Sequence, residues 1–326
     1  MTAPLPTLRP PQDTDSPKPS SSRLKQAVRL VLPLALLWLA WEWLLQHADP
    51  TQLWQQASRL PAWAWLAAGC ALLAGHGLRA VRMQREWRHL RPVGLALCLR
   101  LVLTHNAAVI LMPLRSGEAG YLWLVQRHWG VGWRESGLSL LRWRLQDAAV
   151  LALWAVLLML PWSLAARVLL VLAALTAVAV LQQPLLAWLA RRSRAGVQLS
   201  PARPAVASHL DGWLASAGNW SLKVLALGGL LLALADLPAS LALRAALGGE
   251  LAGVQPLQGP AGLGTYEAGV WLASGAQAGE QARVVAAALA VHAFSLAVAL
   301  GAAALAQLIP APLHQSLASL ERKSAP

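Results

Sequence analysis

A small set of ionisable residues sits inside stretches that are otherwise apolar, and these carry whatever chemistry the chain has. Arg115 and Glu118 flank a Pro/Gly break, with Asn106 on the preceding arm. Arg142, Arg144 and Asp147 share one apolar run, and Arg144 and Asp147 are spaced i to i+3, which places them on adjacent turns of one helix face. Glu267 follows a second Pro/Gly break, beside Thr265 and Tyr266. A charged group in the centre of a membrane helix costs about 2.5–3.5 kcal/mol on insertion scales, so each is either paired or used. A guanidinium is shaped to hold phosphate oxygens, and backbone N–H groups at a helix start favour anions. The expected chemistry is therefore recognition of an anionic head group by Arg115, Arg142 or Arg144, helped by N–H groups near Gly117 and Gly264. Glu118 and Glu267 would neutralise those arginines in an empty site, take up protons, or hold a cationic group. The plainer alternative is that Arg115–Glu118 and Arg144–Asp147 lock helices together.

Other candidates read more simply. His292 is expected to be a satisfied core histidine, Arg79 and Arg244 to reach interfacial phosphates from near helix ends, and Asp236 to lie centrally in a long helix. Catalytic signatures are missing: there is no GxxxxGK[ST], HExxH or GxSxG. The 46–61 loop holds one acid, Asp49, and so lacks the carboxylate pair expected of a lipid-linked sugar transferase. Cys70 and Cys98 lie in apolar runs without a CxxC or histidine-ligand pattern, so small buried side chains are expected, with no metal and no cofactor.

The elements that must position these groups are membrane helices. Of 326 residues, 57% are hydrophobic and 13% charged, against roughly 25% charged in a soluble domain; mean hydropathy is +0.49. The net charge of +13 comes from basic residues placed between apolar runs, the arrangement of the positive-inside rule, so the polyanion implied is a phospholipid surface and not nucleic acid. Six stretches approach or exceed the roughly 20 residues needed to cross a bilayer: 28–45, 62–81, 136–160, 166–189, 221–247 and 282–308. Two more, 95–112 and 251–273, break at Pro113 and around Pro256, Gly259, Pro260, Gly262 and Gly264, and read as re-entrant hairpins. Six crossings keep the arginines of 82–91 and 191–194 on the same side as both termini, the cytoplasmic one. Residues 1–23 form a disordered cytoplasmic tail, 24–310 the membrane domain, and 311–326 a short cytoplasmic tail. Tryptophans near segment ends, among them Trp63, Trp65, Trp162 and Trp271 at one side and Trp87, Trp129, Trp133, Trp188, Trp213 and Trp220 at the other, suggest an interfacial belt.

The two broken stretches resemble each other. LMPLRSGEAGYLWL at 111–124 and LQGPAGLGTYEAGVWLA at 257–273 each carry a Pro/Gly break, then Glu-Ala-Gly, then an aliphatic run with one Trp. Leu-Arg-Ala precedes each, at 78–80 and 243–245, and a long crossing follows each. Fixed-order similarity indicates duplicated modules, here halves 28–160 and 164–308. Three crossings per half would invert the second copy, bringing the hairpin tips together as in inverted-repeat transporters.

With Asn106, Pro113, Gly117 and Glu118 in order, then Arg144 and Asp147, then Pro260, Gly262, Gly264 and Glu267, the chain resembles the lysylphosphatidylglycerol synthase transmembrane, or flippase-like, family. The resemblance covers roughly 61–310. It implies an all-α, multi-pass protein of the bacterial inner membrane that translocates lipids, with those polar residues at the substrate and the Pro and Gly residues shaping the hairpins. Two positions depart from the family's habit: Tyr121 stands where an Arg is frequent, and Trp143 where a Glu is frequent. The fused synthases' aminoacyl-transfer domain is not carried over with the likeness. The function expected is movement of a phospholipid or lipid-linked head group between leaflets, without catalysis. The competing role is a membrane partner that scaffolds a lipid- or glycan-modifying enzyme.

Overall fold

A computed structural model describes residues 57–112, 116–192, 206–255 and 260–309, with Thr51 and Gln55. The 28–45 stretch, both tails, Pro113, Arg115, Pro256 and Gly259 lie outside the described residues. Within them the chain is all-helical, with no strand. It runs α1 (Ala62–Trp87), α2 (Leu95–Leu111), α3 (Glu118–Trp129), α4 (Trp133–Met159), α5 (Leu164–Arg192), α6 (Val206–Leu234), α7 (Ala239–Gly253), α8 (Thr265–Ser274) and α9 (Gln281–Ala306), with a 3-10 turn at Pro260–Gly262.

Local chemistry sets the ends. Pro61 precedes α1 with φ −65°, a geometry proline supplies without strain. α3 and α8 both stop on a glycine in the left-handed region, Gly130 at φ 71° and Gly275 at φ 67°. Pro161 closes α4, because the residue before proline is pushed out of the helical region.

Among the described residues, three helices are long and apolar enough to cross a membrane: Ala62–Trp87, Leu210–Leu234 and Gln281–Ala306. At 27 residues α4 also has the length, but it carries Arg142, Arg144 and Asp147. The 221–247 stretch, expected as one crossing, is two elements. The chain turns at Asp236, whose φ is 53°, and restarts at Pro238 as α7. Asp236 is thus a turn residue and not the centre of a helix, and the first arm before the second Pro/Gly break starts at Ala239 instead of 251.

Two runs of four helices share an order of lengths. In the first, α1 to α4 have 26, 17, 12 and 27 residues. In the second, α6 to α9 have 29, 15, 10 and 26. In each, the two short helices flank the Pro/Gly break. Leu-Arg-Ala does not obey this order: its copies fall in α1 and α7, which do not correspond. The Glu-Ala-Gly copies do obey it, opening α3 and α8.

Each unit has its own core. Met83, Cys98, Tyr121, Val125 and Trp143 fill the first; Leu231, Ala246, Val270, Val284 and Val291 fill the second, together with Ala68 and Leu72 of α1. α1 packs along α6, and α2 along α9, where Leu103 meets Ala303 and Ala306. Arg100 on α2 donates to the carbonyl of Ile309 just past α9. Several interfacial expectations fail here: Trp87, Trp129 and Trp220 are buried, whereas Trp63, Trp133 and Trp162 are exposed. Cys98 is buried as expected, but Cys70 is exposed on the outer face of α1.

Glycines let the short helices touch backbone to backbone. A Cβ on Gly117 would stand 2.2 Å from the carbonyl oxygen of Ala108 on α2. One on Gly269 would stand 2.4 Å from the carbonyl oxygen of Gly248 on α7.

A charged cavity between the two units

Helices α1, α2 and α4 of the first unit and α6 to α9 of the second line a cavity of about 170 Å³. One water needs roughly 10–15 Å³ by such a measure, so the space suits a polar head group and not acyl chains. α1 contributes His76 and Arg79; α2 contributes His105 and Asn106; α4 contributes Arg144. From the second unit come Asn219, Trp220 and Lys223 on α6, Glu250 on α7, Tyr266 on α8 and His292 on α9. The Pro260–Gly262 turn reaches α2, so Ala261 and Gly262 close the cavity wall beside that helix.

Asp147 is the hub on the α1–α4–α6 side. Its carboxylate lies 3.6 Å from Arg79, 3.8 Å from Arg82 and 3.6 Å from Arg144, and it accepts a hydrogen bond from Ser216. Arg82 also donates to Ser216 and Gln146 and stacks 4.4 Å from the Trp143 ring centroid. A buried charge cluster of this kind is stable only if every member is bonded. Here one carboxylate ties three helices together, and Arg144, 3.6 Å from it, also lines the cavity.

Glu118, first residue of α3, lies 2.6 Å from Arg144 and 3.7 Å from His105. Glu267, third residue of α8 and 0% exposed, has His292 and no arginine as its ion-pair partner among the described residues. One of its oxygens accepts the Gly264 N–H at 2.7 Å, as an N3 carboxylate does in capping a helix start. The other lies 2.7 Å from His292 Nδ1. Gly264 takes φ 80° and Gly262 φ 81°, conformations open to glycine, which is how the turn delivers that N–H.

Of the expected site residues, Asn106 and Arg144 line the cavity; Glu118, Asp147 and Glu267 stand behind its wall, each bonded to a lining residue, Arg144, Arg79 and His292 respectively. Arg142 does neither: it pairs with Glu86, which also accepts from Ser139 and Trp143. Arg79, expected near an interface, is instead bound to Asp147, with its guanidinium 5.8 Å from the Trp220 ring. Glu86, Glu250, Lys223, His76 and His105 do not stand out in the sequence. Lys223 and Glu250 pair at 2.6 Å across α6 and α7; the only sequence signal for them is charge within apolar runs. The two unusual positions meet each other, with the Tyr121 and Trp143 rings 5.2 Å apart.

The family model for the lysylphosphatidylglycerol synthase TM region matches residues 26–303. Neither the curated proteins nor the solved structures yielded a match. With most of its length matched, and with apolar helices long enough to span a bilayer, this chain is a membrane protein belonging to the lysylphosphatidylglycerol synthase transmembrane-region family.

Proposed function

We propose that the protein is a flippase-like transporter that moves a phospholipid or lipid-linked head group between leaflets, without catalysing a reaction on it. The observation that carries this reading is a polar cavity lined from both helical units, with Arg144 and Asn106 on one side and Lys223, Glu250 and His292 on the other. Its size suits a head group, while the tails would remain in the bilayer. Arg79, Arg144 and Lys223 supply positive charge for a phosphate, and Glu118, Asp147 and Glu250 hold those cations until the substrate replaces them.

In this reading α2–α3 and α7–α8 are re-entrant hairpins, the two units are inverted copies, and six crossings place both termini in the cytoplasm of a bacterium with the protein in its inner membrane. Broken helices at corresponding positions are the usual place for a transporter's binding site. Arg115, beside the first break, is assigned to the same head-group site. A purely scaffolding partner of a lipid- or glycan-modifying enzyme would have no use for a charged cavity shared between units, which favours transport.

The test is head-group movement in proteoliposomes, followed with a fluorescent anionic phospholipid and a membrane-impermeant quencher. Glu118→Gln and Arg115→Ala are expected to lower the rate at least tenfold with the fold intact by thermal unfolding. Unchanged rates in both would remove the assignment.

A further inference from the structure

We infer that the Glu267–His292 pair binds the proton that drives lipid movement, an inference that rests on the transport reading above. The two units place an acid–base pair at corresponding positions. Each begins with the Glu of Glu-Ala-Gly and ends on the long helix that follows, 26 residues away in Glu118–Arg144 and 25 in Glu267–His292. The distances match, at 2.6 and 2.7 Å. The bases do not match in kind. Arginine keeps its charge in proteins, whereas histidine is the side chain suited to changing charge near neutral pH. Glu118 is held by a permanent cation, with His105 3.7 Å away, whereas Glu267 faces an imidazole alone among the described residues.

The surroundings make the charge of the pair consequential. Glu267 is sealed from solvent, and among the described residues its ion-pair partner is His292, with no arginine or lysine reaching it. When a neutral imidazole donates its Nδ1–H to the carboxylate, the pair carries a net charge of −1 in a place where an unbalanced charge is costly. A proton from water forms an N–H bond at Nε2, giving imidazolium beside carboxylate and a net charge of zero. Its release to water restores the first state, so nothing else is consumed. The same carboxylate holds the Gly264 N–H at the start of α8, so the charge of the pair acts on the anchoring of that helix. His292 also lines the cavity, with Tyr266 stacked 4.3 Å away.

The other charged groups facing the pair are committed. Glu250 on α7 is held by Lys223 of α6, and Arg79 of α1 by Asp147. His76 on α1 and His105 on α2 are the other imidazoles on the cavity, and the experiment must separate them from His292.

The full-length protein would be reconstituted with an internal pH-sensitive dye, and lipid movement followed with and without an imposed proton gradient. The expected result is at least a fivefold acceleration by the gradient in the wild type, with a matching internal pH change. Glu267→Gln, whose amide oxygen can still accept the Gly264 N–H, should move lipid at a rate indifferent to the gradient, as should His292→Arg. Glu267→Gln carries the test if His292→Arg does not fold. His76 and His105 line the cavity, so His76→Gln and His105→Gln can change the rate itself, but the ratio of rates with and without the gradient should stay as in the wild type. Coupling is overturned if the wild type moves lipid regardless of the gradient, if the response survives in Glu267→Gln, or if either cavity-histidine variant moves lipid with no response to the gradient. A wild type that moves no lipid overturns the transport reading and the coupling together, whereas gradient-blind movement overturns the coupling alone.

Discussion

Tyr121 on α3 packs against Trp143 on α4, with ring centroids 5.2 Å apart and an interplanar angle of 57°. The resemblance read from the sequence leads one to expect an Arg and a Glu at these two positions. The structure puts an aromatic pair there instead. A lone charge placed here would be buried beside Trp87 and Ser139. Tyr121→Arg and Trp143→Glu are each expected to destabilise by about 3–5 kcal/mol. The double variant should recover at least half of that, read as thermal unfolding in detergent. Additive losses would show that the two positions are independent.

Asp147→Asn removes the carboxylate that Arg79 and Arg82 share. Leaving buried cations uncompensated is expected to cost about 3–5 kcal/mol. Asp211, paired with the exposed Arg85, offers the contrast: Asp211→Asn should cost less than about 1 kcal/mol, because water and salt screen that pair. Denaturation of both variants in the same detergent checks the ranking.

Gly117→Ala and Gly269→Ala would each set a methyl against a backbone carbonyl oxygen, where no side chain can move aside. Both should lower the yield of monodisperse protein severely. Gly301→Ala, which meets nothing within 4 Å, should leave it unchanged. Size-exclusion profiles of the three variants decide the matter.

Lys223 and Glu250 balance each other on the cavity wall. Glu250→Gln frees the ammonium, so anionic lipid retained through purification should rise by about threefold, and Lys223→Gln should lower it by a similar factor. These factors correspond to less than about 1 kcal/mol, a modest electrostatic change at a partly exposed site. Mass spectrometry of co-purified lipid reports both signs, and a rise in both variants would refute the balance.

Much of the architecture is legible in the amino-acid sequence itself. The helical membrane class follows from composition, and the breaks near 113–117 and 256–264 follow from proline and glycine. Glu118, Arg144 and Asp147 stand out as charges in apolar runs. Glu86 is hidden because it sits in the arginine-rich end of α1, which reads as a solvated cytoplasmic edge. Its burial is created by Ser139, Arg142 and Trp143, more than fifty residues away. The division of 221–247 is hidden for another reason. Hydropathy averages across Asp236, Leu237 and Pro238, although the residue before a proline is disfavoured in a helix. Trp87 and Trp129 defeat the interfacial expectation because proximity to a helix end along the chain says nothing about which way the indole faces.

The close contacts at Gly117–Ala108 and Gly248–Gly269 carry a mechanical consequence. Where backbone meets backbone, no rotamer can change to let the arms part, so α2 with α3, and α7 with α8, each behave as a single stiff lever. Compliance is left to the ends, where the chain turns on Gly130 and on Asp236 and Gly275. A cavity bounded by two such levers would change shape by their tilting, with the side chains on its walls carried along as fixed cargo.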